Sequence, residues 1–168
     1  MSERIIDEIL GKLKAQNTKD FDEFQKRRPL IHLCNHKNES DQLINIVSKM
    51  FEKLKSIASL GMVLEDKDER ELNALHVCVM NNHEKIAEMI LDECSKLVNE
   101  PGGSFQNYPI HFAAMNGSIE LFEILESNGA QLDTSNANGQ NILHLAALHQ
   151  KNLFLEFIIE NFDDDNNK

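Results

Sequence analysis

The sequence predicts an all-α solenoid, in which short helix pairs stack side by side and hairpin-like turns join them. A ten-residue motif recurs four times, as PLIHLCNHKN at 29–38, NALHVCVMNN at 73–82, YPIHFAAMNG at 108–117 and NILHLAALHQ at 141–150. After each motif, a polar break precedes a second segment with apolar residues at helical spacing. Two such helices cannot bury their apolar faces alone, so we expect the units to stack around one continuous core.

One histidine occupies the same place in every motif and sets the period of the repeat. The intervals between His32, His76, His111 and His144 are 44, 35 and 33 residues. The first interval is 11 residues longer than the last, so we expect an insertion between the first two units.

The motifs resemble the Thr-Pro-Leu-His-x-Ala-Ala signature of the ankyrin-repeat family. The third copy matches furthest, with Pro109 to Ala114, then Gly117, then Gly129-Ala130 where the family has Gly-Ala after its second helix. The resemblance covers residues 28–162. It implies an ankyrin-repeat solenoid with repeat 1 at 28–70, repeat 2 at 71–104, repeat 3 at 105–137, and repeat 4 with an acidic tail at 138–168.

Residues 1–27 are expected to form an N-terminal helical cap over the end of the stack, with a degenerate extra repeat as the alternative. In repeat 1, helical apolar spacing extends the second helix to about residue 59, and Gly61 is its expected stop. The charged segment EDKDERE at 65–71 is expected to be a solvated loop.

The family's threonine, three residues before the histidine, is replaced by Pro29, Asn73, Tyr108 and Asn141. Asparagine can still make a local hydrogen bond, whereas proline and tyrosine cannot do the same, so the first and third hairpins are expected to deviate. The segment NEPGGSFQN at 99–107 makes repeat 2 two residues over length. This predicts a longer turn with Phe105 near its tip.

The charge balance restricts the classes of partner. Lysine and arginine number 17 and aspartate and glutamate 28, which gives a formal net charge of −11. Nucleic acids and anionic membranes are bound through cationic side chains, so this balance argues against both. It favours a partner protein with a basic segment, although an acidic surface can also serve solubility alone. Without a signal peptide or a membrane-length apolar run, we expect a cytoplasmic or nuclear location.

The sequence predicts no enzyme, no catalytic residue, no cofactor and no metal. Because the four motif histidines share one repeat position, we expect them to share one structural role. The spacing His32-x-Cys34-x-His36 suggests zinc, but residues two apart on a helix point away from each other, and no fourth ligand is evident. Cys34 and Cys78 stand where the other two motifs have alanine, which predicts buried thiols without a redox role.

The resemblance also implies a partner-binding groove, lined by residues four and five places after each motif histidine. The candidate partner-binding residues are Met80, Asn81, Met115, Asn116, Leu148 and His149, with Phe105 at a neighbouring turn. The apolar members would form a stripe about 20 Å long, at about 10 Å between stacked helices. Such a stripe indicates a binding surface, and the alternative is that these side chains only pack against neighbouring first helices.

The last predicted helix is apolar nearly all round from Leu153 to Phe162, whereas a solenoid usually ends in a polar face. Either the chain belongs to a longer ankyrin protein, or a partner or a second copy covers this helix. We therefore predict a non-catalytic protein–protein interaction module, an adaptor or an inhibitor similar to the inhibitors of NF-κB. The alternative is the ankyrin segment of a larger scaffold, channel or microbial effector protein.

Overall fold

The computed structural model describes residues 28–56 and 60–163, so the predicted N-terminal cap at 1–27 lies outside the described residues. A 3-10 helix, Ser95–Asn99, follows the fifth α-helix. The described α-helices are α1 Pro29–Cys34, α2 Asp41–Ser56, α3 Leu60–Glu65, α4 Ala74–Met80, α5 Glu84–Glu93, α6 Pro109–Asn116, α7 Ile119–Ser127, α8 Ile142–Leu148 and α9 Asn152–Asp163.

The helices form two rows. In the first-helix row, α1 packs on α4, α4 on α6, and α6 on α8. In the second-helix row, α2 packs on α5 and α5 on α7, and the rings of Phe154 and Phe157 on α9 meet the ring of Phe122 on α7. Each first helix also packs on the second helix that follows it. The chain is therefore an all-α solenoid, which confirms the predicted fold class.

Short turns, here called fingers, lead into α4, α6 and α8. An isolated antiparallel bridge joins Lys67 to Asn73 in the first finger (67–73), and another joins Gly102 to Asn107 in the second (102–107). In the third finger (136–140), the Asn136 N–H donates to the Gln140 carbonyl oxygen at 2.9 Å.

Asparagine side chains begin two of the first helices. Asn73 Oδ1 accepts the His76 N–H at 3.1 Å, and Asn141 Oδ1 accepts the His144 N–H at 3.1 Å. Each bond satisfies one of the N–H groups that a helix start leaves free.

The other two first helices begin without a side-chain cap. Tyr108 makes no side-chain cap bond at the start of α6, where Pro109 is the first helical residue and has no N–H to satisfy. α1 begins at Pro29 after Arg28, whose φ of 44° is in the left-handed region. The first and third units thus lack the asparagine cap of the second and fourth.

The core runs through the whole stack and depends on small residues between the first helices. Cys78, Ala113 and Ala146, two places after their motif histidines, are all fully buried. Small side chains here let neighbouring helix axes approach to about 8–10 Å. One place before the histidine, Leu75 and Ile110 are buried as well, and each contributes on the order of 2 kcal/mol relative to exposure.

One expectation for the insertion is wrong. Gly61 does not end a helix but lies inside α3, where burial of Leu60, Val63 and Leu64 outweighs the roughly 1 kcal/mol that a helical glycine costs. The segment 65–71 is largely exposed, as expected of a solvated loop, apart from Asp68, which is buried. The predicted continuation of α2 to residue 59 falls on residues outside the described ranges.

Candidate partner-binding surface

His76 and His111 connect their repeats to the turns that follow. Nε2 of His76 donates to the Glu100 carbonyl oxygen at 3.0 Å, and Nε2 of His111 donates to that of Thr134 at 3.2 Å. In both rings Nδ1 accepts the backbone N–H three residues earlier. Burial lowers the pKa of His76 to about 4 and also lowers the pKa of His111. Both rings are therefore neutral at physiological pH with both nitrogens engaged, so they are part of the scaffold.

The two outer motif histidines are exposed. Nδ1 of His144 lies 2.6 Å from Asn141 Oδ1, but Nε2 of His144 bonds to no described residue. The ring of His32, in the last turn of α1, bonds to no described residue either. The outer two do not share the buried environment of the inner two, but Nδ1 of His144 accepts the Asn141 N–H at 3.4 Å as the inner rings accept theirs, so a common structural role for all four stays a prediction.

The cysteines are placed as structural residues. Cys34 and Cys78 are fully buried, and burial raises the pKa of the Cys78 thiol well above its ordinary value. Cys94 is half-buried, and burial raises its pKa as well. Since the thiolate is the reactive form, these thiols are poor nucleophiles at neutral pH. His32 and His36 are exposed while Cys34 is buried, so the three do not converge on a metal.

In residues 28–56 and 60–163, no three His, Cys, Asp or Glu side chains come together in a way that could hold a metal ion. The helices in this part of the chain are all too short or too polar to cross a membrane.

Met80, Met115 and Leu148 occupy the same place in α4, α6 and α8, four residues after each motif histidine. Met80 and Met115 are half-buried against the core, whereas Leu148 is 64% exposed. Successive first helices are in contact, so these three side chains form an apolar stripe along the first-helix row. The alternative was that these side chains only pack against neighbouring first helices. It therefore applies in part to the two methionines and does not apply to Leu148.

The next residues in the sequence are Asn81 and Asn116. Their side chains form hydrogen bonds that join α4 to α1 and α6 to α4. Nδ2 of Asn81 donates to the Cys34 carbonyl oxygen at 3.3 Å, and Nδ2 of Asn116 donates to that of Val79 at 2.7 Å. The Oδ1 atoms of both asparagines accept no hydrogen bond from the described residues, and both residues are half-buried. Two unpaired acceptors thus lie beside the apolar stripe. His149, the third residue of this set, is exposed.

Phe105 lies in the turn of the second finger, and its side chain is 53% exposed. Its backbone is fixed, because its carbonyl oxygen accepts the Ala137 N–H of the third finger at 2.8 Å. The Phe105 ring is therefore exposed to solvent, while a hydrogen bond to the third finger fixes its backbone.

Two residues that the sequence interpretation missed hold the fingers in shape. Asn136 Oδ1 accepts the N–H groups of Asn138 and Gln140, each at 3.0 Å, and its Nδ2 donates to Asn107 Oδ1 at 2.9 Å. Asp68 accepts two finger N–H groups in the same way, each at 2.9 Å. Both stand eight residues before a motif histidine, and this shared offset is the signal that could have identified them.

Acidic residues are absent from the first helices and concentrated in the last three second helices, whereas α2 holds two acidic residues and three lysines. The first helices α1, α4, α6 and α8 contain no aspartate or glutamate. The pKa of Glu84 in the second-helix row is raised by burial and by the nearby carboxylates of Glu120 and Glu39, as expected where like charges are concentrated. The acidic residues of α5, α7 and α9 are Glu84, Glu88, Asp92, Glu93, Glu120, Glu123, Glu126, Glu156, Glu160 and Asp163.

The last helix pair leaves an apolar face uncovered. Leu143 is exposed, although the equivalent residues of the two preceding repeats, Leu75 and Ile110, are buried. Leu153 and Ile159 on α9 are exposed as well. In the described part of the chain, most of the exposed large apolar side chains therefore lie on α8 and α9.

Comparisons with known proteins agree with this architecture. A family model described as ankyrin repeats in three copies matches residues 94–168. The chain is 28% identical over 93 residues to the transient receptor potential cation channel subfamily A member 1 homolog of Caenorhabditis elegans. It is 24% identical over 97 residues to palmitoyltransferase ZDHHC13 of Homo sapiens, and 28% identical over 88 residues to palmitoyltransferase AKR1 of Lachancea kluyveri. These matches cover 55%, 58% and 52% of this chain but span only 7%, 15% and 12% of those proteins.

Proposed function

Because this chain belongs to the ankyrin-repeat family through residues 94–168, we propose that it is a protein–protein interaction module whose first-helix row binds a partner protein. Ankyrin repeats are in general interaction modules without catalysis of their own. The observation that supports the binding site is the apolar stripe of Met80, Met115 and Leu148. Its members occupy equivalent positions in three helices that contain no aspartate or glutamate. Exposed apolar stripes mark interaction sites, and methionine adapts to varied partner shapes.

Within this function we propose an adaptor or inhibitor, similar in mode to the inhibitors of NF-κB, that covers a segment of its partner in the cytoplasm or nucleus. The three free cysteines are compatible with a reducing compartment. The net charge of −11 favours a basic region on the partner. Such a region would contact α5, α7 and α9, because the acidic side chains are concentrated there.

The test is affinity capture with charge placed in the stripe. We expect Leu148→Glu, and the double variant Met80→Glu with Met115→Glu, to lose the captured partner by at least about tenfold, because a carboxylate desolvated in an apolar contact is costly. Quantitative mass spectrometry of proteins captured on the immobilised chain measures the loss.

The matched control is Met62→Glu, which charges an exposed methionine on α3, outside the first-helix row. Leu148→Glu leaves the core intact because Leu148 is already exposed, so its circular dichroism should match that of the parent chain. Capture of the same proteins by all four chains, with unchanged helicity, would show that the stripe is not the binding site.

A second candidate function is the ankyrin segment of a larger protein. It is favoured by the relatives, which are named as a channel and as palmitoyltransferases and are many times longer than the matched region. An immunoblot of the endogenous protein tests this: a band far above 19.2 kDa supports the larger protein, and a band at that mass contradicts it.

A further inference from the structure

We propose that the first-helix row binds a polyproline II segment with apolar side chains at every third residue and a carboxylate at the α1 end of the row. The inference rests on the proposed function and adds the conformation, spacing and charge of the bound segment. Three features of the row lead to it, namely its repeat distance, its unpaired acceptors and its charge.

The first feature is the distance between the members of the stripe. Met80, Met115 and Leu148 are one repeat apart, and packed first helices are separated by about 10 Å. A polyproline II segment presents the same face at every third residue, about 9 Å apart. A β-strand presents the same face at every second residue, about 7 Å apart, so its side chains would not match the stripe.

The second feature is the pair of unpaired acceptors. Asn81 and Asn116 each use Nδ2 to hold the preceding helix, and their Oδ1 atoms, one repeat apart on half-buried residues, accept no hydrogen bond from the described residues. An α-helix matches the spacing at seven residues, about 10.5 Å, but its interior N–H groups are already bonded within the helix. A polyproline II segment has no internal hydrogen bonds. Its N–H groups, repeating every third residue, can therefore donate to both oxygens.

The third feature is charge. His36 and Lys37 stand in the turn after α1, four and five residues after His32, as Met80 and Asn81 stand after His76, and both are exposed. The neighbouring Glu39 is directed to α5, where its carboxylate accepts the Ile86 N–H at 2.9 Å. A carboxylate on the bound segment can pair with Lys37, whereas a lysine or arginine finds no acidic partner in the first helices. Because screening in physiological salt limits exposed charges to about 8 Å, these local groups outweigh the more distant acidic row.

The experiment uses short synthetic peptides and the whole chain. The parent probe is a fluorescent peptide, Glu-(Leu-Ala-Pro)₃-Glu, and its control has the same composition with leucine at every second position. We expect the parent to bind at least about tenfold tighter than the control in fluorescence anisotropy, because only the parent can place three leucines on the stripe. Equal affinities of the two peptides would overturn the proposed spacing.

Two further changes test the hydrogen bonds and the charge. N-methylation at one of the two non-proline positions in each Leu-Ala-Pro unit should weaken binding about tenfold, and at the other it should have little effect. Replacing both glutamates of the peptide by lysine should weaken its binding to the parent chain. For the Lys37→Glu variant of the chain, we expect the lysine peptide to bind tighter than the glutamate peptide. Unchanged affinity for both methylated peptides overturns the hydrogen bonds, and a preference that Lys37→Glu does not alter overturns the charge assignment.

The outcomes separate this inference from the proposed function. If Leu148→Glu loses a captured partner but no peptide of the series binds, the interaction function stands and the polyproline II assignment is wrong. If neither capture nor peptide binding depends on Leu148, both are wrong.

Discussion

Asn73 shows how a single departure from the family's threonine changes a hydrogen-bond network. Because His76 Nε2 donates its proton to the Glu100 carbonyl oxygen, Nδ1 carries a lone pair, and this atom lies 2.7 Å from Asn73 Oδ1, a second acceptor. Asn73 Nδ2 is buried and has no partner in the described residues. One threonine hydroxyl could accept the His76 N–H as the asparagine does, without placing a carbonyl oxygen against Nδ1, which already accepts the backbone N–H of residue 73 at 3.3 Å. The asparagine therefore caps the helix but leaves the ring contact unfavourable.

We predict that Asn73→Thr stabilises the chain by about 1 kcal/mol, because it removes a buried unpaired donor and the close contact between Asn73 Oδ1 and the His76 Nδ1 lone pair. Urea unfolding followed by circular dichroism measures the change. The matched control is Asn141→Thr, where the partner ring of His144 is exposed and a smaller gain is expected. A loss of stability at Asn73 would show that the asparagine is the better cap.

For individual residues, the sequence predicted which positions are equivalent but not which groups their side chains would bond. The motif offset was sufficient to identify Met80, Met115 and Leu148 as one set, since a repeat gives equivalent residues equivalent places. It could not show that Asn81 and Asn116 use their amides to bond the preceding helix, because that depends on the distance to a carbonyl in another repeat. The partner-binding role of the whole set stays a prediction.

In the second, third and fourth repeats, the turn between the two helices depends on a left-handed residue six places after the motif histidine. This residue is Asn82 with φ 57°, Gly117 with φ 73° and Gln150 with φ 58°. Side chains with a Cβ are strained in this region by roughly 1 kcal/mol, and asparagine tolerates it better than glutamine. The three turns therefore have the same geometry at different energetic cost.

We predict that Gln150→Gly raises the free energy of unfolding by up to about 1 kcal/mol. Gly117→Ala should lower it by at least as much, because a Cβ at Gly117 would lie 2.9 Å from the Lys151 Cδ in addition to the backbone strain. Urea unfolding of the two variants beside the parent chain measures both changes. Destabilisation by Gln150→Gly would mean that the glutamine side chain makes a contact worth more than the strain.

Elements with a strong local signal were predictable, and elements set by tertiary packing were not. The first helices follow from caps, small residues and the motif period, all of which are written in consecutive residues. α3 did not, because Gly61 is a local stop signal that burial of its apolar neighbours overrides. The finger turns were expected, but their fixation by Asp68 and Asn136 was not, since these residues bond to backbone groups two and four places further on.

Considered as a whole, the stack has an uncovered apolar end at α8 and α9. A solenoid buries its apolar faces by contact between neighbours, so the last pair needs a neighbour that the described residues do not supply. A second copy of the chain could cover this face by isologous contact.

We predict that the chain self-associates at high concentration, and that Leu153→Lys with Ile159→Lys restores the 19.2 kDa monomer, because both side chains are exposed on α9. Sedimentation equilibrium over a range of concentrations measures the association. Met62→Lys is the matched control, since it charges an equally exposed residue away from this end. A monomer at every concentration would contradict the prediction.

The hydrogen bonds from His76 to Glu100 and from His111 to Thr134 both run from a histidine to an acceptor later in the sequence. Each of these buried rings receives its acceptor from a turn 24 or 23 residues later, and never from an earlier one. During synthesis the ring therefore emerges from the ribosome before its partner does. A repeat that has just formed holds an unpaired nitrogen until the next turn is made, so nascent chains should gain their final stability one repeat late.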